Sequence, residues 1–118
     1  MAKVLGIGGV FFKAKDPKAL AEWYTRVLGF ETESWGGAVF QHPKIGMASW
    51  SPFPADTRYF EPSAASFMIN LIVDDLDGVL AKAAAEGVEA TGRQDEEYGR
   101  FAWLVDPEGF KVELWQPA

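Results

Sequence analysis

A chain of 118 residues has room for one folded domain, and 48% hydrophobic against 24% charged residues is the balance of a chain that buries a core. A net charge of −6 opposes nucleic-acid binding, which needs lysines and arginines gathered on one face. The lack of cysteine closes disulfide, thiolate and zinc-ribbon chemistry and fits a reducing compartment. No apolar run approaches the ~20 residues that cross a bilayer, and MAKVLGIGGVFF reads as a strand, not a signal peptide. A cytoplasmic protein with neither nucleic-acid nor membrane partner is expected.

Residues 10–14 read as a strand. Asp16-Pro17 then supplies a helix N-cap and a proline at the first helical position, where its missing N–H costs nothing. Leu20, Trp23, Tyr24, Val27 and Leu28 follow at the spacing of one buried helical face, and Gly29 is placed to stop the helix. Strand-like pieces at 30–34, 38–41 and 46–50 complete the first half, with His42-Pro43-Lys44 as a turn. The stretch 52–66 is rich in proline and small polar residues yet carries Phe53, Tyr59 and Phe60, so it is either a lid or a packed connector.

The same order then returns. Residues 67–73 are apolar, Asp75 can cap, and Leu76, Val79, Leu80 and Ala83 make a stripe ended by Gly87. Strand-like pieces follow at 88–91, 101–105 and 110–115, with Asp106-Pro107-Glu108-Gly109 as the turn. Asp16 and Asp75 lie 59 positions apart, Gly29 and Gly87 lie 58 apart. One domain over 1–118 is expected, built from two related halves, about 4–51 and 67–117, joined by 52–66.

An LGFE after the first helix, a VDDLD entering the second and YGRFAWLVDPEGFKVELW at the end resemble the vicinal oxygen chelate superfamily, which includes glyoxalases, bleomycin-resistance proteins and extradiol dioxygenases. The likeness covers about residues 4 to 117. It implies an α+β fold in which two βαβββ modules form a cupped mixed sheet with helices on the outer face, commonly in a homodimer. It also implies a metal held inside the cup by matching strands of each half. Carried over one at a time, the first-strand ligand falls on Gly9 and its second-half counterpart on Met68. The late-strand ligand falls on Glu113, and the equivalent 64 residues earlier is Ser49. A lone carboxylate beside Gly, Met and Ser is a poor site for a first-row metal, so neither metal nor cofactor is expected.

Strand alternation puts Glu113 on one face with Lys111 and Trp115, opposite Val112 and Leu114. Pairing across the DPEG turn sets Ala102 against Glu113 and Arg100 against Trp115. In that register the cup receives Phe11, Lys13, Phe40, Met47, Ser49, Met68, Asn70, Arg100, Glu113 and Trp115, an apolar wall with a few polar anchors. Plainer readings stand beside it. Glu113 is otherwise a solvated strand residue paired with Lys111 or Arg100, Arg100 a surface ion pair, and Met68 and Phe11 simple packing. Trp23, Trp50 and Trp103 fall with the helix-contacting face, Trp35 beside Gly36-Gly37 reads as a rim residue, His42 as an exposed loop residue, and Asp95-Glu96-Glu97 as a solvated acidic loop.

The leading expectation is a glyoxalase- or bleomycin-resistance-like protein that binds a small apolar or aromatic molecule in its cup without a catalytic metal. The second is a divergent lyase or isomerase using Glu113 as general base or metal ligand. The third is a dimeric interaction module whose cup is filled by its own side chains.

Overall fold

The computed structural model describes residues 2–28, 31–42, 46–106 and 109–118. Strand β1 (Val4–Ala14) leads into helix α1 (Pro17–Leu28), followed by β2 (Ala38–His42) and β3 (Gly46–Pro54). The second half repeats the order with one strand more: β4 (Phe67–Val73), α2 (Leu76–Ala85), β5 (Gly92–Glu96), β6 (Gly99–Val105) and β7 (Lys111–Pro117). All seven strands form one sheet in the order β2-β3-β1-β4-β7-β6-β5. Within each half the first and last strands run parallel, β1 with β3 and β4 with β7, and antiparallel pairing of β1 with β4 joins the halves. This is the α+β cupped sheet that the sequence predicts.

Both helices begin where their aspartates place them. Asp16 Oδ1 accepts from the Ala19 N–H at 3.0 Å and Asp75 Oδ1 from the Gly78 N–H at 3.1 Å, each satisfying an otherwise orphaned donor of the first turn. The outward sheet face carries the helices: α1 lies against β1 and β3, α2 against β6 and β7. Leu76 of α2 is buried with Val73, Ala102 and Leu114, and Val79, Leu80, Leu104 and Val112 pack around them. The stripe positions Trp23, Tyr24, Val27 and Leu28, with Gly29 and the turn residues Pro43 and Lys44, lie outside the described residues and side chains.

Two strands differ from expectation. Residues 31–34 contribute a single bridge, Thr32 to Ala38, because the chain turns at once, with the Glu33 N–H donating to Gly37 O at 2.7 Å. Residues 88–91 are not a strand either. The outer strand is Gly92–Glu96, brought opposite β6 by the two-residue turn Glu97-Tyr98. Asp95 and Glu96 therefore belong to a strand and not to a loop. A polar edge strand of this kind discourages pairing with other chains.

A second cluster lies on the concave face, where Phe60 and Met68, with no exposed surface, and Phe11 are joined by Phe53 and Trp103. Phe60 comes from the segment between the halves, which crosses the cup and returns to the sheet where the Lys13 N–H donates to Ser66 O at 2.7 Å. Rings of Phe53 stack on Tyr59 at 5.5 Å and meet Phe60 at 5.1 Å. Removing the Phe60 ring should lower unfolding free energy in urea by about 3–5 kcal/mol, the cost of emptying a large aromatic site. A Phe60→Ala protein with an unchanged denaturation midpoint would contradict this packing.

Candidate functional site

Glu113 stands in the middle of β7, 2% exposed, on the concave face. Asn70 of β4 donates Nδ2 to Oε1 at 2.7 Å; the Tyr59 hydroxyl and the Trp103 indole N–H donate to Oε2 at 2.5 and 2.8 Å. Because a carboxylate only accepts, the Asn70 amide must present its nitrogen to Glu113. Burial of the acid, costly without partners, is answered by three donors from the inter-half segment, β4 and β6.

Hydrogen-bonded ladders align Ser49, Gly9, Asn70 and Glu113 in one row across β3, β1, β4 and β7. The counterpart of Gly9 is thus Asn70 and not Met68. The difference of two arises beyond the row, because Asp16 follows Gly9 by seven positions whereas Asp75 follows Asn70 by five. Separately, the β1–β4 register shifts between Ile7 and Gly9, a β-bulge that leaves Gly8 as an extra residue. A Cβ on Gly8 would fall 2.0 Å from Asn70 Oδ1, and one on Gly9 2.8 Å from Phe11 Cε1. Both glycines therefore leave concave space that Asn70 and Phe11 occupy.

Two expected cup residues point elsewhere. Trp103 pairs with Glu113 and Phe101 with Trp115, one residue away from the expected register, so Arg100 lies on the helix side. There its guanidinium is 3.1 Å from Asp77 of α2, which also binds Arg93 at 2.6 Å. Hydrogen bonds from Arg93 and then Arg100 hold the Asp77 carboxyl below its usual value. The cause of the slip is the turn. Asp106 and Phe110 close it through a 2.9 Å N–H to O bond, leaving three residues between them, with Gly109 at φ +84°. A three-residue loop ending in a left-handed glycine shifts the facing strand by one and exchanges its faces. Trp103 accordingly faces the cup and not the helix, while Trp50 does lie on the helix face against Phe12, 5.6 Å between centroids.

Phe40 departs for the same reason. His42 pairs with Gly46, again with three residues between them, so that Val39 stands opposite Ser49 and Phe40 turns to the other face. The cavity of about 590 Å³ that remains in the cup is lined by Phe11, Met47, Ser49, Asn70, Glu113 and Trp115 among the expected residues. Trp35, Val39, Tyr98 and Phe101 are the other described residues that line it. Met68 faces the same side of the sheet but lies beneath Phe60, outside this cavity.

On the covered flank, Lys111 Nζ donates to the Tyr59 carbonyl at 2.5 Å and rests 5.0 Å from the Tyr59 ring centre and 5.3 Å from that of Trp103. Burial pulls the Lys111 ammonium below the usual lysine value, with the charges of Glu113 and Glu61 acting in the opposite sense. The Tyr59 ring reaches solvent, but its hydroxyl lies against the acid. Desolvation, then the charge of Glu113, pushes the phenol far above its ordinary value of 10.0, so it remains a donor.

The donor set does not fit the metal that the superfamily implies. Its row holds one carboxylate, one amide, one hydroxyl and one glycine. Three of the carboxylate's acceptor positions already receive the chain's own donors, and Ser49 Oγ lies 2.7 Å from Ser51 Oγ. Among the described residues no group of three or more His, Cys, Asp or Glu converges.

Replacing Glu113 by glutamine should cost about 1–3 kcal/mol in urea unfolding, because an amide cannot accept from all three donors. An alkaline signature should accompany it. The raised folded-state pKa of Tyr59 means that its contribution is complete below pH 10.0 and is lost as pH rises above that value. Tyr59→Phe should therefore flatten the fall in stability above pH 10. Parallel wild-type and Tyr59→Phe curves would contradict the hydrogen bond.

A model of the glyoxalase-like domain matches residues 9–115 of this sequence. Among solved structures, a variant of the Streptomyces coelicolor methylmalonyl-CoA epimerase, in complex with 2-nitronate-propionyl-CoA, aligns with TM-score 0.71 and 18% identity over 98% of this chain and 99% of that one. The Mycobacterium tuberculosis methylmalonyl-CoA epimerase aligns with TM-score 0.64 and 20% identity over 98% and 89% of the two chains. A glyoxalase/bleomycin resistance protein/dioxygenase superfamily member from Vibrio splendidus 12B01 gives 0.59 and 13% over 98% and 99%. At such identities the likeness establishes the fold alone. A search of curated proteins finds no significant match. No described helix is long and apolar enough to cross a membrane. With a domain model spanning nearly its whole length, the chain belongs to the glyoxalase-like domain family of the vicinal oxygen chelate superfamily.

Proposed function

We propose that this protein binds a small apolar or aromatic molecule in its cup and does so without a catalytic metal. One observation carries the proposal: the acid at the usual ligand row is committed to Tyr59, Asn70 and Trp103, while a cavity of about 590 Å³ with aromatic walls stays open beside it. That volume lies within the range of small-molecule sites, roughly 300–1,000 Å³. An isomerase or lyase using Glu113 as general base draws less support, since a base needs a lone pair facing its substrate and most of those here are taken. A self-filled interaction module fits only the flank under Phe60, because the opposite flank remains open.

Mass spectrometry of small molecules released from the purified protein, with metal analysis of the same sample, tests the reading. A retained organic ligand with far less than one metal per chain is the expected result. Near-stoichiometric metal that disappears in Glu113→Ala would overturn it.

A homodimer is proposed as well. Ile7, Val10, Phe67 and Phe110 are exposed apolar residues, and Val10 and Phe67 belong to the convex face. Such a patch is characteristic of an association surface. Sedimentation should show a dimer at micromolar concentration that Val10→Asp dissociates; a wild-type monomer would refute the proposal.

A further inference from the structure

We propose that the molecule held in the cup is a planar aromatic bearing a cationic nitrogen, an inference that rests on the binding reading above. The walls come from both halves of the chain. Phe101 and Trp115 stand with ring planes 5° apart and centroids at 6.0 Å, and Tyr98 meets Phe101 edge-on at 5.7 Å. Across the mouth, Trp35 is 56% exposed and Tyr98 65% exposed, an unusual amount of aromatic surface to leave in water beside a cavity. Trp35 is not a free rotor. Its ring lies back over Gly37, where a Cβ would come within 2.0 Å of it, and the Glu33–Gly37 turn fixes its backbone.

The polar floor decides the charge. Asn70 is 1% exposed, gives Nδ2 to Glu113, and has an Oδ1 with no hydrogen-bond partner. Glu113 brings the one formal charge among the described lining residues, which include no lysine, arginine or histidine. Lys111, two positions along β7, is turned to the Tyr59 carbonyl on the covered flank. The other unpartnered buried polar atom, Trp115 Nε1, lies against Gly99, where a Cβ would be 2.4 Å away. Asn70 Oδ1 is packed in the same way against Gly8, where a Cβ would be 2.0 Å away, so the sign of the floor is set by the Glu113 charge, beneath aromatic faces that attract cations. A carboxylate or phosphate group would find no cation among the described lining residues and would face the Glu113 charge. The acyl-CoA class bound by the epimerase of the same fold is for that reason disfavoured in this cup.

Three probes of one shape test the inference by calorimetric titration of the wild-type protein at pH 7: 2-naphthylmethylamine, 2-naphthylmethanol and 2-naphthoate. The amine should bind about tenfold tighter than the alcohol, the scale of a desolvated cation–π contact beside a carboxylate. Naphthoate should bind more weakly than the alcohol. Trp35→Ala should weaken amine and alcohol alike, whereas Glu113→Gln should narrow the gap between them. Should that variant fail to fold, the wild-type charge series decides alone. Naphthoate binding as tightly as the amine, or Trp35→Ala binding like wild type, overturns this inference and leaves the binding reading standing. No binding of any probe overturns it too, and a simultaneous failure to find a released ligand overturns the binding reading itself.

Discussion

A buried carboxylate with three partners organises this molecule. Glu113 would be expensive to place inside the sheet by itself, and the cost is met only when the Tyr59 hydroxyl, the Asn70 amide and the Trp103 indole all arrive together. Those donors come from the inter-half segment, the first strand of the second half and the hairpin partner of β7. A one-residue slip of β6 would withdraw Trp103 and leave the acid with an unmet acceptor. The site therefore helps to specify strand register as well as shape the cup.

Periodicity and capping made most of the fold readable. Asp16 and Asp75 act as caps because short acids before a helical stripe have few better uses, and the resulting strand-helix repeat exposes the two halves. The cup-facing list was less legible, and its two misplacements share one cause. Both hairpins close over three residues, between His42 and Gly46 and between Asp106 and Phe110, where an even-numbered loop would have kept the expected faces. Phe40 and Arg100 consequently exchange places with Val39, Phe101 and Trp103. The signal available was Gly109, whose left-handed backbone favours the three-residue loop. The outer strand Gly92–Glu96 was hidden for a different reason. An edge strand that buries little shows no apolar alternation, so Arg93, Asp95 and Glu96 read as loop.

A second hidden feature lies in the first strand. Counting 59 residues from Gly9 leads to Met68, but the matching position is Asn70, because Asp16 follows Gly9 by seven positions and Asp75 follows Asn70 by only five. The bulge at Gly8 was hidden as well, since it adds a residue without marking the hydrophobic pattern and only the paired glycines hint at it. The consequence is chemical. At the row where the sequence resemblance places metal ligands, the glycines let the Asn70 side chain settle over β1, and Asn70 in turn occupies Glu113. Loss of a ligand on β1 and capture of the acid by an amide are thus two aspects of one packing arrangement.

The cup is divided unequally by the same residues. Phe11 belongs both to the cluster under Phe60 and to the cavity wall, and Glu113 bonds Tyr59 on one flank while lining the open space on the other. The boundary between plug and pocket runs through this pair. On the plugged side Phe53, Tyr59 and Phe60 interlock; on the open side small residues such as Ser49 face the large rings Phe101 and Trp115. A flat molecule can lie against those rings without displacing the plug. Size and shape of the open space then depend on how firmly one phenol is held by one acid, a local contact with consequences across the whole concave face.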